Sequence, residues 1–160
     1  MLELETDHLQ SADYERDLMS WYEHQIALLR QRRLSELDLD NLITELDGSM
    51  ASVRKELASR LEVLLMHLLK CQYQAKRISG SWLGTLGEQR SEIDKLLEES
   101  PSLAPRVEEV AAKVYPRAVR RAAAETRLDR KIFPETIPYT RAQLFDEDFV
   151  PPAADPDSTA

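Results

Sequence analysis

The sequence has very little cysteine and glycine, and it has no long uninterrupted apolar run. Its one cysteine, Cys71, allows no disulfide within the chain and suits a reducing compartment. Only 4 glycines, against 42% hydrophobic and 31% charged residues, suit helices joined by short turns. The longest apolar run, Val63–Leu69, is broken by His67 and falls short of the roughly 20 residues that span a bilayer. The acidic start, Met1–Glu5, lacks the basic residues of a signal peptide. We therefore expect a cytoplasmic protein without a membrane partner.

The net charge of −8 is spread unevenly along the chain. Residues 1–50 carry 12 acidic and 4 basic side chains, residues 51–130 carry 11 and 15, and residues 131–160 carry 6 and 2. In the mildly basic middle, the basic residues alternate with acidic ones, as in Arg54-Lys55-Glu56. Such alternation is typical of solvated helix faces, whereas nucleic-acid-binding proteins carry a dense basic stripe. Nucleic acid is therefore not the expected partner.

The strongest positive signal is the run from Leu61 to Leu69, inside a helical pattern from Val53 to Tyr73. A helix that is apolar nearly all round must be covered on several sides. The predicted fold is therefore all-α, a helical bundle of about four to five helices around a long central apolar helix, with a short C-terminal docking helix. The predicted organisation is a partly ordered N-terminus at 1–11, a single domain at 12–150 and a disordered tail at 151–160.

Helical periodicity and capping residues predict where the helices begin and end. The predicted ranges are 12–32, 39–73, 82–99 and 103–126, followed by a short helix after residue 140. The predicted N-terminal caps are Ser11 or Asp13, then Asp38 or Asp40, then Ser81, and finally the capping box Thr140-x-x-Gln143.

The pattern over 39–73 is long for one compact domain. Its 35 residues would span roughly 50 Å as a straight helix, against a radius of gyration of about 15 Å for a chain of this length. Either the helix bends near Gly48, or its N-terminal half contacts a second copy of the chain or another protein. In the second case we expect Leu42, Leu46 and Met50 to lie at that interface.

A set of polar residues interrupts the apolar pattern of the central helix and its neighbours. Each buried polar group needs a partner, or it costs about 1–3 kcal/mol. The set predicts either a hydrogen-bond network that fixes helix register or a polar pocket between helices. Its members are Glu45, Arg60, Glu62, His67, Lys70, Gln72, Gln89 and Arg90.

No motif in the sequence identifies a reaction. His67 and Cys71, spaced i, i+4, could begin a zinc site, but the other histidines, His8 and His24, lie elsewhere in the sequence. Phosphate-binding loops, dinucleotide fingerprints, nucleophile elbows and HExxH are all missing from the sequence. We therefore predict no catalytic residue, no metal and no cofactor. An enzyme with a pocket near Glu62, His67 and Arg90 remains an alternative.

Several motif blocks together resemble the bacterial family called domain of unknown function 29. The resemblance covers roughly Tyr14 to Pro151 and implies a small bacterial helical protein. The family has no established activity, so it implies no catalytic residue. A common family pattern has tryptophan where this chain has Cys71, which argues further against a chemical role for that thiol. The blocks are Arg60 to Lys70, Gln72-Tyr73, Ser81-Trp82, Gln89-Arg90, Ser100 to Leu103, Phe133-Pro134, Pro138-Tyr139 and Asp146 to Phe149.

The function that these observations favour is a non-enzymatic protein–protein interaction module, either a homodimer or the partner of an unidentified protein. The first alternative is a small regulatory protein that acts on nucleic acid or on a toxin-like partner. A broad apolar surface patch would favour the first function. Salt-dependent nucleic-acid binding would favour the alternative.

Overall fold

The computed structural model describes residues 13–154, and every regular element in that range is helical. The helices are α1 (Leu18–Arg30), α2 (Leu39–Tyr73), α3 (Gly80–Glu99), α4 (Val107–Thr126) and α5 (Arg141–Phe145). Short 3-10 turns lie at Leu34–Glu36, Ala75–Arg77, Pro101–Arg106 and Arg130–Ile132. The predicted all-α class is confirmed. The stretch at 1–11 lies outside the described residues.

The chain divides into two compact units, unit 1 and unit 2, whose described parts are residues 13–52 and residues 53–154. Helix α2 contributes its first part to unit 1 and the rest to unit 2, and it continues without interruption through Gly48. A Cβ atom at Gly48 would meet nothing within 4 Å, so packing does not require glycine there. None of the helices between residues 13 and 154 is long and apolar enough to cross a membrane.

In unit 1, α1 and the beginning of α2 form an antiparallel hairpin. The Trp21 indole Nε1 of α1 donates at 3.0 Å to Oδ2 of Asp38, which precedes α2, and the hydroxyl of Tyr14, in the turn before α1, donates at 2.7 Å to Glu45 Oε1 of α2. Earlier residues in the first half of the hairpin therefore face later residues in its second half. Trp21 and Leu28 are the apolar side chains buried in this hairpin.

The bounds of α1 differ from the predicted 12–32. The helix begins at Leu18 because the Asp17 side chain accepts from the Ser20 N–H at 3.0 Å. Residues 13–16 form a separate helical turn, and Ser11 lies outside the described residues. The helix ends at Arg30 rather than Arg32, since Arg32 adopts a left-handed backbone conformation with φ of 56°.

In unit 2, the later part of α2 is the centre of the core. Leu61, Leu64, Leu65, Leu68 and Leu69 have no exposed surface. They belong to one apolar cluster with Leu86 and Ile93 of α3 and with the small residues Ala111, Ala118 and Ala122 of α4. The predicted central apolar helix is confirmed.

The other predicted helix ends need small corrections. Ser79 rather than Ser81 caps α3, since its hydroxyl accepts from the Trp82 N–H at 3.3 Å. Residues 101–106 form a 3-10 turn, so α4 begins at Val107 rather than near residue 103. At α2 the predicted Asp38 cap is found, with its carboxylate accepting from the Asn41 N–H at 3.3 Å. The Thr140 capping box is also found.

The C-terminal segment, residues 133–154, packs against the rest of unit 2 through Phe133, Tyr139 and Leu144, which are buried in the core cluster. The docking extends beyond the predicted limit at residue 150. Pro151 is buried, and the Ala154 N–H donates to the Gln72 carbonyl of α2 at 2.9 Å. The predicted disordered tail therefore does not begin at Pro151, and residues 155–160 lie outside the described range.

Candidate functional site

The predicted polar set is divided between the two units. Glu45 lies in unit 1, where its carboxylate accepts hydrogen bonds from the hydroxyls of Tyr14 and Tyr22. These bonds, that from Tyr22 foremost, lower the pKa of Glu45. Its hydrogen bonds therefore connect α2 to α1 and to the turn before α1 within the hairpin.

Two charged residues of the set, Glu62 and Arg60, link helices of unit 2 through ion pairs. Glu62 of α2, with only 12% of its side chain exposed, binds Arg117 at 2.9 Å and Arg121 at 3.1 Å, both on α4. Arg60 lies 3.4 Å from Glu56 on its own helix and 3.6 Å from Glu92 on α3. Both clusters connect α2 to a neighbouring helix and so support the structural interpretation of these residues.

Lys70 is a buried cation with two partners. Its Nζ lies 2.6 Å from Glu125 Oε2 of α4 and 4.3 Å from the centre of the Trp82 ring of α3. A charge in this position needs compensation, and the carboxylate and the aromatic face both provide it. Lys70 therefore joins three helices and offers no free amine for chemistry.

His67 and Cys71 do not form a reactive pair. His67 Nδ1 lies 3.0 Å from the Val63 carbonyl, so this nitrogen is assigned as the protonated donor. Burial raises the pKa of the Cys71 thiol, which has no exposed surface. A thiol of this kind is inert, because the thiolate is the nucleophile. Within residues 13–154, no group of three or more His, Cys, Asp or Glu side chains could hold a metal ion.

His67 should make the stability of the protein depend on pH. Burial is the largest influence on its pKa, which lies below the ordinary 6.5. The unfolded chain therefore binds more protons around pH 6, and the stability that His67 contributes is lost as the pH falls below about 6.5. We expect the free energy of unfolding to decrease less between about pH 7.5 and pH 5 in His67→Gln than in the unsubstituted protein.

Denaturant titrations at several pH values would measure this difference. His24→Gln, which replaces an exposed histidine of α1, is the matched control and should follow the unsubstituted protein. Identical pH profiles for His67→Gln and the unsubstituted protein would contradict the prediction.

Arg90 of α3 is buried to 1% exposure and holds the C-terminal segment. Its guanidinium donates only to backbone carbonyls: Nε to Leu144 at 2.9 Å, Nη1 to Glu147 at 3.2 Å, and Nη2 to Phe149 at 2.9 Å and Gln143 at 3.3 Å. Burial lowers the pKa of this guanidinium, and the nearby Asp146 carboxylate opposes that effect. Arg90 therefore fixes α5 and the residues after it to α3 through four hydrogen bonds.

The two glutamines of the set, Gln72 and Gln89, differ in their hydrogen bonding. Gln72 Oε1 accepts from the Tyr139 hydroxyl at 2.7 Å, so its bond reaches the C-terminal segment rather than another helix. Gln89 is buried, but its amide makes no hydrogen bond with the residues that the structure describes. Of the predicted polar set, Gln72 and Arg90 therefore bond to the C-terminal segment.

The three residues named for an enzyme pocket serve different contacts. Glu62 pairs with arginines of α4, His67 bonds its own helix, and Arg90 holds the C-terminal segment. No described hydrogen bond or ion pair joins any two of them.

Unit 1 carries a surface that the sequence indicated only in part. The exposed apolar residues of α2 lie at positions i, i+4, i+7 and i+11, and hence on one side of the helix. In α1 and in α2 the exposed apolar row lies about 100° around the helix axis from the residues that face the hairpin interior. Because the helices are antiparallel, both rows fall on the same side of the hairpin. We call this surface the hairpin face: Leu18, Met19, Ile26, Leu29, Leu39, Ile43, Leu46 and Met50.

The hairpin face is well exposed. Leu39, Ile43, Leu46 and Met50 have 58%, 57%, 65% and 50% of their surface accessible. Of the residues expected at an interface, Leu46 and Met50 therefore belong to the face, whereas Leu42 is half-buried.

Unit 2 carries a groove that sequence reasoning missed. It has a volume of about 480 Å³ and lies between α2 and the beginning of α4. Apolar side chains from both helices and from the preceding 3-10 turn form its floor, and four basic side chains and one acidic side chain surround it. We call it the basic groove: Arg54, Leu57, Ala58, Leu103, Arg106, Glu109, Val110, Lys113, Val114 and Arg117.

A comparison with protein-family models identifies the family of this chain. The model described as "Domain of unknown function DUF29" matches residues 14–150, which is most of the chain. The chain belongs to this family. The resemblance based on the motif blocks is therefore confirmed. No curated protein and no solved structure matches the chain.

Membership in the DUF29 family is consistent with the structural contacts. The motif residues Glu62, Lys70, Gln72 and Arg90 all connect α2 or α3 to another part of unit 2. The family description assigns no activity, so the function must be argued from the surfaces of this protein.

Proposed function

We propose that this DUF29 protein is a non-enzymatic helical protein–protein interaction module, and that its hairpin face is the contacting surface. The observation that carries the proposal is the exposure of eight large apolar side chains on one side of a two-helix hairpin. Monomeric proteins rarely expose contiguous apolar patches of this kind unless the patch binds something.

The size of the hairpin supports the same proposal. Unit 1 comprises residues 1–52, and a unit of that size buries too small a fraction of its surface to be more than marginally stable on its own. The only cysteine lies in unit 2. Packing of the hairpin face against other helices would complete a bundle layer.

The partner that we favour is a second copy of the chain. The cellular setting that we propose is the bacterial cytoplasm, since the family resemblance is to bacterial proteins and the single cysteine is a buried free thiol. The nucleic-acid alternative is less well supported, because the cations of the basic groove surround an apolar floor rather than form a continuous stripe.

Sedimentation of a double variant tests this proposal. We expect the unsubstituted protein to associate at micromolar concentration and Ile43→Lys with Leu46→Lys to remain monomeric, because two charges would be buried in an apolar contact. Leu83→Lys is the matched control, since Leu83 is an equally large apolar residue, 42% exposed, on α3 of unit 2.

Circular dichroism should show unchanged helix content in both variants, because the substituted side chains are exposed. A monomeric mass for the unsubstituted protein at about 100 μM would rule out self-association through this face. That concentration lies far above the dissociation constant of any stable homodimer.

A further inference from the structure

We propose that the basic groove of unit 2 is the docking site for the hairpin face of a second copy of this chain. The proposal rests on the proposed function and adds to it the receiving surface and the identity of the partner. It joins an exposed apolar face that carboxylates flank to a groove whose cations are exposed and whose apolar floor is partly buried.

The lining of the groove is complementary to an apolar surface flanked by acidic side chains. Ala58 of α2 and Val110 of α4 are half-buried and form the surface of its floor, above the buried side chains of Leu57 and Val114. Arg106 and Lys113 line one edge and are spaced seven residues apart, about 10 Å along a helix. Neither makes an ion pair within the described part of the chain, so both are available to a partner.

The hairpin face has the complementary chemistry. Within residues 13–52 there are nine acidic and four basic side chains, and residues 39–52 carry three acids and no base. Two of these acids, Asp40 and Asp47, flank the row of Leu39, Ile43 and Leu46 on one side. They are spaced seven residues apart, again about 10 Å along the helix.

The same charges disfavour the simplest alternative. If the hairpin faces of two copies packed directly against each other, the Asp40 and Asp47 carboxylates of both copies would lie at one interface, and like charges at an interface cost free energy. Docking into the basic groove instead sets Asp40 and Asp47 against Arg106 and Lys113. An amphipathic helix whose apolar side enters an apolar groove is a common recognition mode.

Charge reversal tests the pairing directly. Arg106→Glu with Lys113→Glu should weaken self-association at least tenfold, and Asp40→Lys with Asp47→Lys should do the same. A chain that carries all four substitutions should associate again, because the signs are exchanged and remain complementary. The matched control is Arg77→Glu with Arg120→Glu, which changes the net charge of unit 2 equally at exposed positions outside the groove.

Cross-linking can distinguish a contact between two copies of the chain from a contact within one copy. A photo-reactive residue in place of Val110 should cross-link to residues 39–50 in a mixture of ¹⁴N- and ¹⁵N-labelled protein. Peptide pairs that join the two isotopes are the expected result. Pairs that always carry one isotope would show the hairpin of the same chain in the groove, and would overturn the proposal.

The failure of this inference is distinguishable from failure of the proposed function. If Ile43→Lys with Leu46→Lys abolishes association but the groove reversal has no effect, the hairpin face binds elsewhere and only the groove assignment is wrong. If the groove variant and its control weaken association equally, a general charge effect replaces the specific pairing, and the inference is again overturned. An unsubstituted protein that is monomeric refutes this inference and the homodimer, and leaves a different protein as the partner of the hairpin face.

Discussion

Replacing Arg90 with alanine is expected to lower the free energy of unfolding by roughly 3–5 kcal/mol, because several carbonyls of the C-terminal segment would lose their donor and each buried unpaired carbonyl costs about 1–3 kcal/mol. The guanidinium has 1% exposure and four carbonyl partners. Denaturant unfolding would measure the loss. Limited proteolysis should cleave the variant after α5 under conditions in which the unsubstituted protein resists.

Two comparison variants make this test specific. Arg141→Ala also removes an arginine that donates to a carbonyl, that of Ala104 at 2.9 Å, but the Arg141 side chain is 39% exposed, so we expect a loss below about 1 kcal/mol. Arg90→Lys keeps the charge but cannot match the planar fork of donors. Wild-type stability in Arg90→Lys would show that charge, rather than the fork geometry, holds the segment.

Replacing Leu65 with alanine is expected to destabilise the protein by about 2–5 kcal/mol. Leu65 has no exposed surface and lies in the core cluster of unit 2. The substitution would remove apolar contacts and leave a cavity that the surrounding helices can only partly close. The midpoint of denaturant or thermal unfolding would report the effect.

Leu83→Ala is the comparison for that change. Leu83 is 42% exposed on α3, and its truncation should cost less than about 1 kcal/mol. An unchanged melting temperature in Leu65→Ala would contradict the assignment of α2 as the core of unit 2.

The core of unit 2 was predictable because burial leaves a periodic pattern in the sequence. Leu61, Leu64, Leu65 and Leu68 recur at helical spacing, and all are fully buried. The capping box at Thr140 was predictable for a similar reason, since its two members lie three residues apart and need no distant partner. Both features depend on local spacing.

The role of Arg90 was not predictable to the same degree. The sequence marked this residue as an anomalous polar side chain, but its partners are the carbonyls of Gln143, Leu144, Glu147 and Phe149. Every residue has a carbonyl, so no side-chain pattern can point to those four. Only the tertiary position of the C-terminal segment selects them.

The hairpin face and the basic groove could be predicted from the sequence only in part, for another reason. Leu46 and Met50 have helical spacing, which indicates an apolar face but not whether the chain itself covers it. The basic groove combines Arg54 of α2 with Lys113 of α4, residues far apart in the sequence. The charge count showed that this region is basic, but it could not show that an apolar floor lies between the cations.

The buried thiol of Cys71 gives the protein a built-in reporter of its own opening. It is the only cysteine in the sequence, and it lies inside the core of unit 2. A thiol reagent can reach it only when that core opens, so the rate of its modification in the absence of denaturant measures how often unit 2 unfolds. Because unit 1 has no cysteine, the opening of the hairpin alone leaves no such signal, and the dynamics of unit 2 can be followed separately in the intact chain.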